Sequence, residues 1–263
     1  MTRLNLKIAL PTLVIFFASF TAAATAKEAL PMGVASHHAQ TRTADITFKS
    51  GKIIEVAFAS VEGGKEAQLS RNYFPKIMPL AAKYGGKMLG SFKVTAIVRG
   101  DIQPQMIAIF EWPSLEARDR LLDDRQAQKL FPIRDDAMTF FKQAFYTTDK
   151  DITVTFRQDK TYEFFNAWLS DEADELLPRY FAQSAEVKNK YGPPKFVASL
   201  TPFAGGPTAD YILNPHMFGI VEWNNTQTYY GLAADPDFKK SVPLLNRSLT
   251  RMDMMHATFN FPK

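Results

Sequence analysis

The spacing of hydrophobic and polar residues changes several times along the first half of the chain, and each change predicts a new element. The stretch "GKIIEVAFASV" (51–61) favours a strand, whereas "EAQLSRNYFPKIMPLAAKYGG" (66–86) has helical spacing that stops at two glycines. Two strands around a turn at Gly100-Asp101, a helix capped by Ser114 and a last strand over 138–148 follow. The pattern therefore predicts the order β-α-β-β-α-β, preceded by a short hairpin arm.

The same pattern occurs a second time. Matching positions are separated by 107, 108 or 111 residues, and the main change in separation falls in one Gly/Pro-rich stretch between Leu200 and His216. An insertion confined to such a stretch is typical of a surface loop. The matching segments are "FKSGK" (48–52) with "FRQDK" (156–160), "KYG" (83–85) with "KYG" (190–192), and "MIAIFEW" (106–112) with "MFGIVEW" (217–223). These offsets predict an internally duplicated protein.

The duplication predicts how the two copies pack. A four-stranded sheet with two helices on one side leaves its other side apolar and uncovered, and two copies in one chain can cover each other's sheets. We therefore predict an α+β fold with two tandem ferredoxin-like (βαββαβ) domains, 44–148 and 152–260, packed sheet to sheet as an internal dimeric α/β-barrel. Because the internal copy replaces a partner subunit, we expect a monomer, or pseudo-dimer.

The N-terminal segment has the pattern of an export signal. Arg3 and Lys7 precede the apolar run "IALPTLVIFFASF", and small residues follow it. The pattern predicts a signal peptide over 1–26, a flexible lead-in over 27–43, and a periplasmic or secreted location. The alternative is a retained membrane anchor, for which this apolar run is short.

Composition and charge exclude several function classes. Removal of residues 1–26 would leave 29 Lys and Arg against 27 Asp and Glu, without a dense basic run, so we expect no nucleic-acid partner. The chain has no cysteine and therefore no disulfide framework. No later apolar stretch reaches the length of a membrane span, so we expect no membrane contact after cleavage. Recognised cofactor and metal motifs are missing, so we expect no cofactor and no metal, with His37-His38 solvated in the lead-in.

Three segments of the first copy resemble a known family. "KYGGK", "EWPSLEARDRLL" and "FPIRDDA" are similar to a family of small domains, each about one copy of this repeat, in the dimeric α/β-barrel group. That group includes cofactor-independent antibiotic-biosynthesis monooxygenases, muconolactone-isomerase-like enzymes and some haem proteins. The resemblance is good over 53–147 and weaker over 160–259. It implies the fold, whereas it implies an activity only weakly because the group hosts many chemistries.

Two glutamates recur at the end of the same strand in both copies and are the candidate catalytic residues. Glu111 and Glu222 could act as general bases if burial raised their pKa, and the alternative is a solvated or paired carboxylate. Alternation along the strand places Glu111 and Trp112 on opposite faces. Related barrels usually place their cavities on the helix-facing side of the sheet. We expect both glutamates to face the helices on that side, and the tryptophans to close the contact between the two sheets.

Other side chains are candidates for ligand binding because they are aromatic or carry a group that holds an anion or a proton. For each of them, packing or a local ion pair is the alternative. These candidates are Tyr73, Trp112, Arg134, Tyr180, Trp223 and His256. Arg134 aligns with Leu245, and Ser114 aligns with Asn225, so we expect any site to be confined to one half.

Three functions remain open. The first is an exported protein that binds a small apolar or aromatic molecule. The second is a cofactor-independent monooxygenase or isomerase-like enzyme, which needs a polar group with a shifted pKa inside a pocket. The third is a structural or interaction module, which needs neither.

Overall fold

The computed structural model describes residues 41–261, and the predicted signal peptide, residues 27–40 of the lead-in and His37-His38 lie outside these residues. Thr43, the last residue of the predicted lead-in, is the first residue of a strand. The first half contains β1 (Thr43–Phe48), β2 (Ile53–Val61), α1 (Glu66–Gln68), a π-helical turn (Leu69–Tyr73), α2 (Phe74–Lys83), β3 (Lys87–Arg99), β4 (Met106–Trp112), α3 (Leu115–Leu122), α4 (Arg125–Gln128), α5 (Phe131–Ala137) and β5 (Met138–Thr147).

The second half repeats this order with fewer interruptions. A single long helix replaces the divided first helix of the first half. The elements are β6 (Ile152–Arg157), β7 (Thr161–Leu169), α6 (Ala173–Lys190), β8 (Lys195–Pro202), β9 (Met217–Trp223), α7 (Thr226–Ala234), α8 (Pro236–Arg247) and β10 (Leu249–Phe259). None of the helices within residues 41–261 is long and apolar enough to span a bilayer.

Four strands of each half form an antiparallel sheet, in the orders β5-β2-β4-β3 and β10-β7-β9-β8. The predicted α+β class with two βαββαβ halves is confirmed. The structure adds one feature to the prediction of facing sheets: β10 also pairs with β3, and β5 with β8, so the eight strands close into a barrel. Closure removes the free sheet edges that each half would otherwise expose. The arms β1 and β6 pair with each other as a separate ribbon.

The barrel strands bury side chains on both of their faces. Inside the barrel, aromatic residues of the two halves meet: the Phe92 ring lies 4.9 Å from that of Phe156 and 4.7 Å from that of Phe164, between centroids. Outside the barrel, the sheet of each half packs against its own helices and forms an outer cluster. The candidate site lies in the outer cluster of the first half.

The repeated Lys-Tyr-Gly segment ends the helix that precedes the second sheet strand in each half. Its glycine has a positive φ, +81° in the first copy and +79° in the second, a conformation that glycine adopts without strain. Tyr84 donates a hydrogen bond to Asp124 over 2.8 Å, and Tyr191 donates to Asp235 over 3.0 Å. Each aspartate also caps the start of a later helix, α4 or α8. The repeated segment therefore ties two helices together and has a structural role.

The prediction for the faces of β4 and β9 is wrong. Ile109 lies in the barrel core, so Glu111, on the same face of the strand, lies on the barrel side, whereas Trp112 packs among the helices. Glu222 and Trp223 repeat this arrangement in the second half. The physical reason is that both faces of these strands are buried and apolar, so alternation separates the faces without showing which one is inside.

Candidate functional site

A cavity of about 590 Å³ lies between the outer face of the first-half sheet and the helices that cover it. Its sheet side includes three small residues, Ala57 and Ala59 on β2 and Ala108 on β4, and these leave space beneath the helices. Helix α2 closes the opposite side with Ile77 and Met78. Most of the wall is therefore apolar.

Four buried polar side chains form a connected cluster at the least exposed end of this cavity. Glu55 accepts hydrogen bonds from Trp112 Nε1 (2.9 Å), from Arg118 Nε (3.2 Å) and from the Gln143 amide. Arg118 also donates to Gln143 Oε1 over 2.8 Å, and its guanidinium lies over the Phe145 ring. Glu55, Arg118 and Gln143 are each less than one-tenth exposed. The cluster thus forms a polar end in an otherwise apolar space.

Burial dominates the proton affinity of Glu55. Removal from water raises its pKa above the ordinary value for glutamate, and the nearby Arg118 charge and the hydrogen bonds from Trp112 and Arg118 offset part of that rise. A carboxylate has about four acceptor sites, of which the neighbours use three. Glu55 can therefore accept one further hydrogen bond or a proton from a molecule in the cavity.

A second polar group lies at the more exposed side of the cavity. Arg134, on α5, pairs with Asp135 over 2.7 Å, and its guanidinium lies over the rings of Phe131 and Phe141. Tyr73 is buried beside it at the end of the π-helical turn. Burial raises the Tyr73 pKa, and Arg134 offsets part of that rise. Because π-helical turns inside helices often occur at functional sites, this local irregularity is consistent with a role for Tyr73.

The second half also contributes to this cavity. The loop 203–216, which carries the insertion recognised in the sequence, crosses to the first half and runs beside β5. The backbone N–H of Gln143 donates to Tyr211 O (2.8 Å), and that of Leu213 donates to Gln143 O (2.7 Å). Ile212 is buried in the outer cluster of the first half, and Tyr211 lines the cavity.

The corresponding region of the second half holds larger side chains. Phe165 occupies the position of Ala57, and its strand neighbour is Gly219, which matches Ala108. A Cβ atom on Gly219 would lie 2.5 Å from the Phe165 ring, so the pair fits only in this combination. Tyr229 occupies the position of Arg118. These exchanges fill the space that is open in the first half.

A buried glutamate with polar neighbours nevertheless persists in the second half. Glu163, the counterpart of Glu55, accepts a hydrogen bond from Trp223 Nε1 over 3.2 Å. His256 is fully buried, with Nε2 3.6 Å from Glu163 and its ring 4.5 Å from that of Tyr229. Burial lowers the pKa of Lys188 to about 8, and the charge of Glu163 offsets part of that effect. Among residues 41–261, no group of three or more acidic, histidine or cysteine side chains is arranged to hold a metal ion.

The structure divides the predicted site residues into three groups. Tyr73, Trp112 and Arg134 line the first-half cavity together. In the second half, Trp223 and His256 lie around Glu163, and Tyr180 is buried against Phe181 and Phe238. The two predicted catalytic glutamates lie on the barrel side of their strands: Glu111 does not line the cavity, and Glu222 accepts from Tyr162 over 3.3 Å and lies 3.5 Å from Lys195.

Sequence reasoning identified Trp112 but missed the other three members of the polar cluster, Glu55, Arg118 and Gln143. Glu55 and Glu163 are single charged residues inside strongly apolar strand segments, and they match at the same offset as "FKSGK" and "FRQDK". A charge repeated at matching positions in two buried strands is a signal that could have identified them. Arg118 and Gln143 have no such signal because their second-half counterparts are Tyr229 and Met254.

No protein-family model and no curated protein matches the chain. Among solved structures, an anthrone oxidase-like protein superposes with a TM-score of 0.54 at 13% identity, over 83% of this chain and 95% of that one. A second match is a protein assigned as a monooxygenase from Lactobacillus acidophilus NCFM, with a TM-score of 0.38 and 11% identity over 80% of this chain and 94% of that one. A third is a chlorite dismutase variant from Candidatus Nitrospira defluvii, with a TM-score of 0.48 and 9% identity over 81% of this chain and 93% of that one. At these identities the likeness concerns the fold alone. The chain therefore has a dimeric α/β-barrel (ferredoxin-like) fold, with both halves of the barrel in one polypeptide.

Proposed function

We propose that this chain binds a small, largely apolar or aromatic molecule in the first-half cavity, with a polar group of that molecule directed at Glu55. The composition of the cavity wall carries the proposal. The wall is apolar or aromatic except for Gln143 and two ion pairs, Glu55 with Arg118 and Arg134 with Asp135. Pockets for small molecules commonly measure roughly 300–1,000 Å³ and combine apolar walls with a few placed polar groups.

The charges of the wall favour a neutral ligand. Each cation that lines the cavity is paired with a carboxylate within 3.2 Å, so an anionic ligand would have to compete for a cation that is already neutralised. The proposal includes the predicted export and monomeric state, and both rest on the sequence pattern.

A binding experiment with a neutral fluorescent probe tests this proposal. N-phenyl-1-naphthylamine becomes brighter when it enters an apolar site. A fluorescence titration with the whole protein therefore measures the dissociation constant of the probe. The second half supplies a cavity-filling design, because the double substitution Ala57→Phe with Ala108→Gly transplants the pair Phe165 and Gly219. We expect this variant to bind the probe about tenfold or more weakly, which corresponds to about 1.4 kcal/mol.

The matched control places the same new side chain outside the cavity. Ala185 is exposed on α6, so Ala185→Phe should leave probe binding unchanged. Equal binding by the wild type and by the Ala57→Phe, Ala108→Gly variant, with both folded by circular dichroism, would refute binding in this cavity.

A second candidate function follows from Glu55. A buried carboxyl with a raised pKa inside an apolar cavity is suited to accept a proton from a bound substrate near neutral pH. In a cofactor-independent oxygenase, the resulting carbanion or enolate would react with O₂. The fold likeness to an anthrone oxidase-like protein makes anthrone the natural probe: anthrone and O₂ would give anthraquinone and water.

Oxygen uptake in the presence of anthrone tests this candidate. If Glu55 is the base, Glu55→Gln should lower turnover by roughly 10²- to 10⁴-fold, the usual contribution of a general base. Because only ionised Glu55 accepts a proton, wild-type turnover should rise with pH through its raised pKa. Glu163→Gln changes the matching residue of the second half and should leave turnover unaffected. Unchanged uptake in Glu55→Gln would remove this candidate and leave the binding proposal standing.

A further inference from the structure

The loop 203–216 is tied to the first half by a run of backbone hydrogen bonds. The Phe203 N–H donates to Phe145 O over 2.8 Å, and both backbone groups of Gln143 bond to the loop, its N–H to Tyr211 O and its C=O to the Leu213 N–H. Strand β8 pairs with β5 only at Tyr146 and Thr147, so beyond that point the loop takes the place of a neighbouring strand. Its position on the first half is therefore held by repeated contacts.

Tyr211 is the loop residue that reaches the cavity. It lines the cavity and its ring centroid lies 6.3 Å from that of Phe141, with 30° between the ring planes. It is also 37% exposed, which places it at the boundary between cavity and solvent. By contrast, Glu55, Arg118 and Gln143 of the polar cluster are each less than one-tenth exposed.

We propose that Tyr211 is a specificity-determining residue: the second half supplies it, on the 203–216 loop, as the outer wall that limits the width of the molecule bound in the first half. This inference rests on the proposed function. The loop 100–105 at the matching position of the first half is shorter. The inference gives the extra residues of the second-half loop a role, because they allow it to reach the first-half cavity. It also means that the cavity is complete only when both halves are present.

The mechanism is steric and acts at the outer end of the cavity. A ligand whose polar group contacts Glu55 extends from these buried side chains toward the more exposed part of the cavity, where a wider ring system meets Tyr211 and Phe141. Removal of the Tyr211 ring opens space for a wide ligand and removes a contact surface from a narrow one. The two effects have opposite signs, and this distinguishes a role in selection from a general role in stability.

Two neutral fluorescent probes of different width test the inference on the whole chain. The dissociation constants of 2-naphthol and 1-hydroxypyrene are measured for the wild type, Tyr211→Ala and Tyr211→Phe. We expect Tyr211→Ala to shift the ratio of the two affinities about tenfold toward 1-hydroxypyrene, and Tyr211→Phe to keep the wild-type ratio. Tyr230→Ala is the control, because Tyr230 is an exposed tyrosine of the second half that does not line the cavity.

The outcomes separate the inference from the proposed function. An unchanged affinity ratio in Tyr211→Ala, whether both affinities stay the same or fall together, would overturn the role of Tyr211 while binding in the cavity stands. If the wild type binds neither probe, both the proposed function and this inference are overturned. Thermal unfolding measured in parallel shows whether Tyr211→Ala keeps the wild-type stability, as its partial exposure leads us to expect.

Discussion

Removal of the Arg118 charge is the most direct test of how the polar cluster is held. Arg118 is 3% exposed, and its Nε atom lies 3.2 Å from Glu55, which is also buried. Arg118→Met keeps much of the apolar stem and deletes the guanidinium, so Glu55 and Gln143 each lose a hydrogen-bond donor. The variant therefore leaves a buried carboxylate without its cation.

The size of the effect follows from the cost of an unpaired buried charge. At 3.2 Å and an effective dielectric constant of about 20, the attraction between two unit charges is about 5 kcal/mol before any desolvation is counted. Breaking a buried pair by removal of one partner typically costs about 3–5 kcal/mol. We expect Arg118→Met to lose an amount in that range at pH 8.

The loss should depend on pH in a defined direction. Burial already raises the pKa of Glu55 in the folded state, and Arg118 lowers it, so the variant should have a still higher folded pKa. The folded variant then binds more protons than the unfolded chain between the unfolded and folded pKa values, and its stability falls as pH rises through that window. The deficit relative to the wild type should therefore be smaller at pH 5 than at pH 8.

Urea denaturation at both pH values measures these differences. Arg120→Met is the control, because Arg120 is an exposed residue of the same helix and its loss should change stability by no more than about 0.5 kcal/mol. A wild-type midpoint for Arg118→Met at pH 8, or an equal deficit at pH 5 and pH 8, would show that the ion pair does not control the stability of the cluster.

Three further predictions concern the surroundings of the cluster. Trp112→Phe removes the indole N–H that bonds to Glu55, and we expect a loss of about 1.5–3 kcal/mol in urea denaturation; a loss below 0.5 kcal/mol would mean that this hydrogen bond has no net value. Gly86→Ala would place a Cβ atom 2.4 Å from the Trp112 ring, so we expect a loss of about 1–3 kcal/mol, whereas Gly63→Ala, with no atom within 4 Å, should change stability little; equal effects of the two changes would contradict the packing argument. Glu111→Gln should leave probe binding unchanged, because Glu111 lies on the barrel side and does not line the cavity; a loss of binding in calorimetry would return Glu111 to the site.

The sequence carried most of the information about the fold because the repeat is visible at several separate places. The offsets of 107 at Lys-Tyr-Gly and 111 at the Glu-Trp strands indicated two copies of one unit, and the helix-ending glycines and Ser114 set the element boundaries closely. The pairing of β10 with β3 and of β5 with β8 was not predictable in the same way. Edge pairing between distant strands leaves no local pattern, since each strand already has one partner within its own half.

The site was predicted less completely, for a physical reason that Glu55 illustrates. Tyr73, Trp112 and Arg134 are large or charged residues and stand out as candidates, and the structure brings them to one cavity. Glu55 is stable in a buried strand because Arg118, more than sixty positions away, pairs with it and Trp112 and Gln143 donate to it. A sequence pattern shows an isolated charge in an apolar strand, and only the folded chain shows whether that charge has a partner.

The asymmetry of the two halves suggests what the duplication makes possible. A space lined by Ala57 and Ala108 gives up packing contacts that the pair Phe165 and Gly219 keeps, so a symmetric protein with two such spaces would lose packing twice. Barrel closure joins the two halves at both sheet edges. The second half, in which large side chains fill the corresponding space, can therefore stabilise a first half that contains a cavity. The second half then also provides a loop that completes the wall of the open one. On this argument, truncation of Tyr229, which fills the position of Arg118, should lower stability and leave probe binding intact, because its packing supports the barrel and its side chain lies outside the cavity.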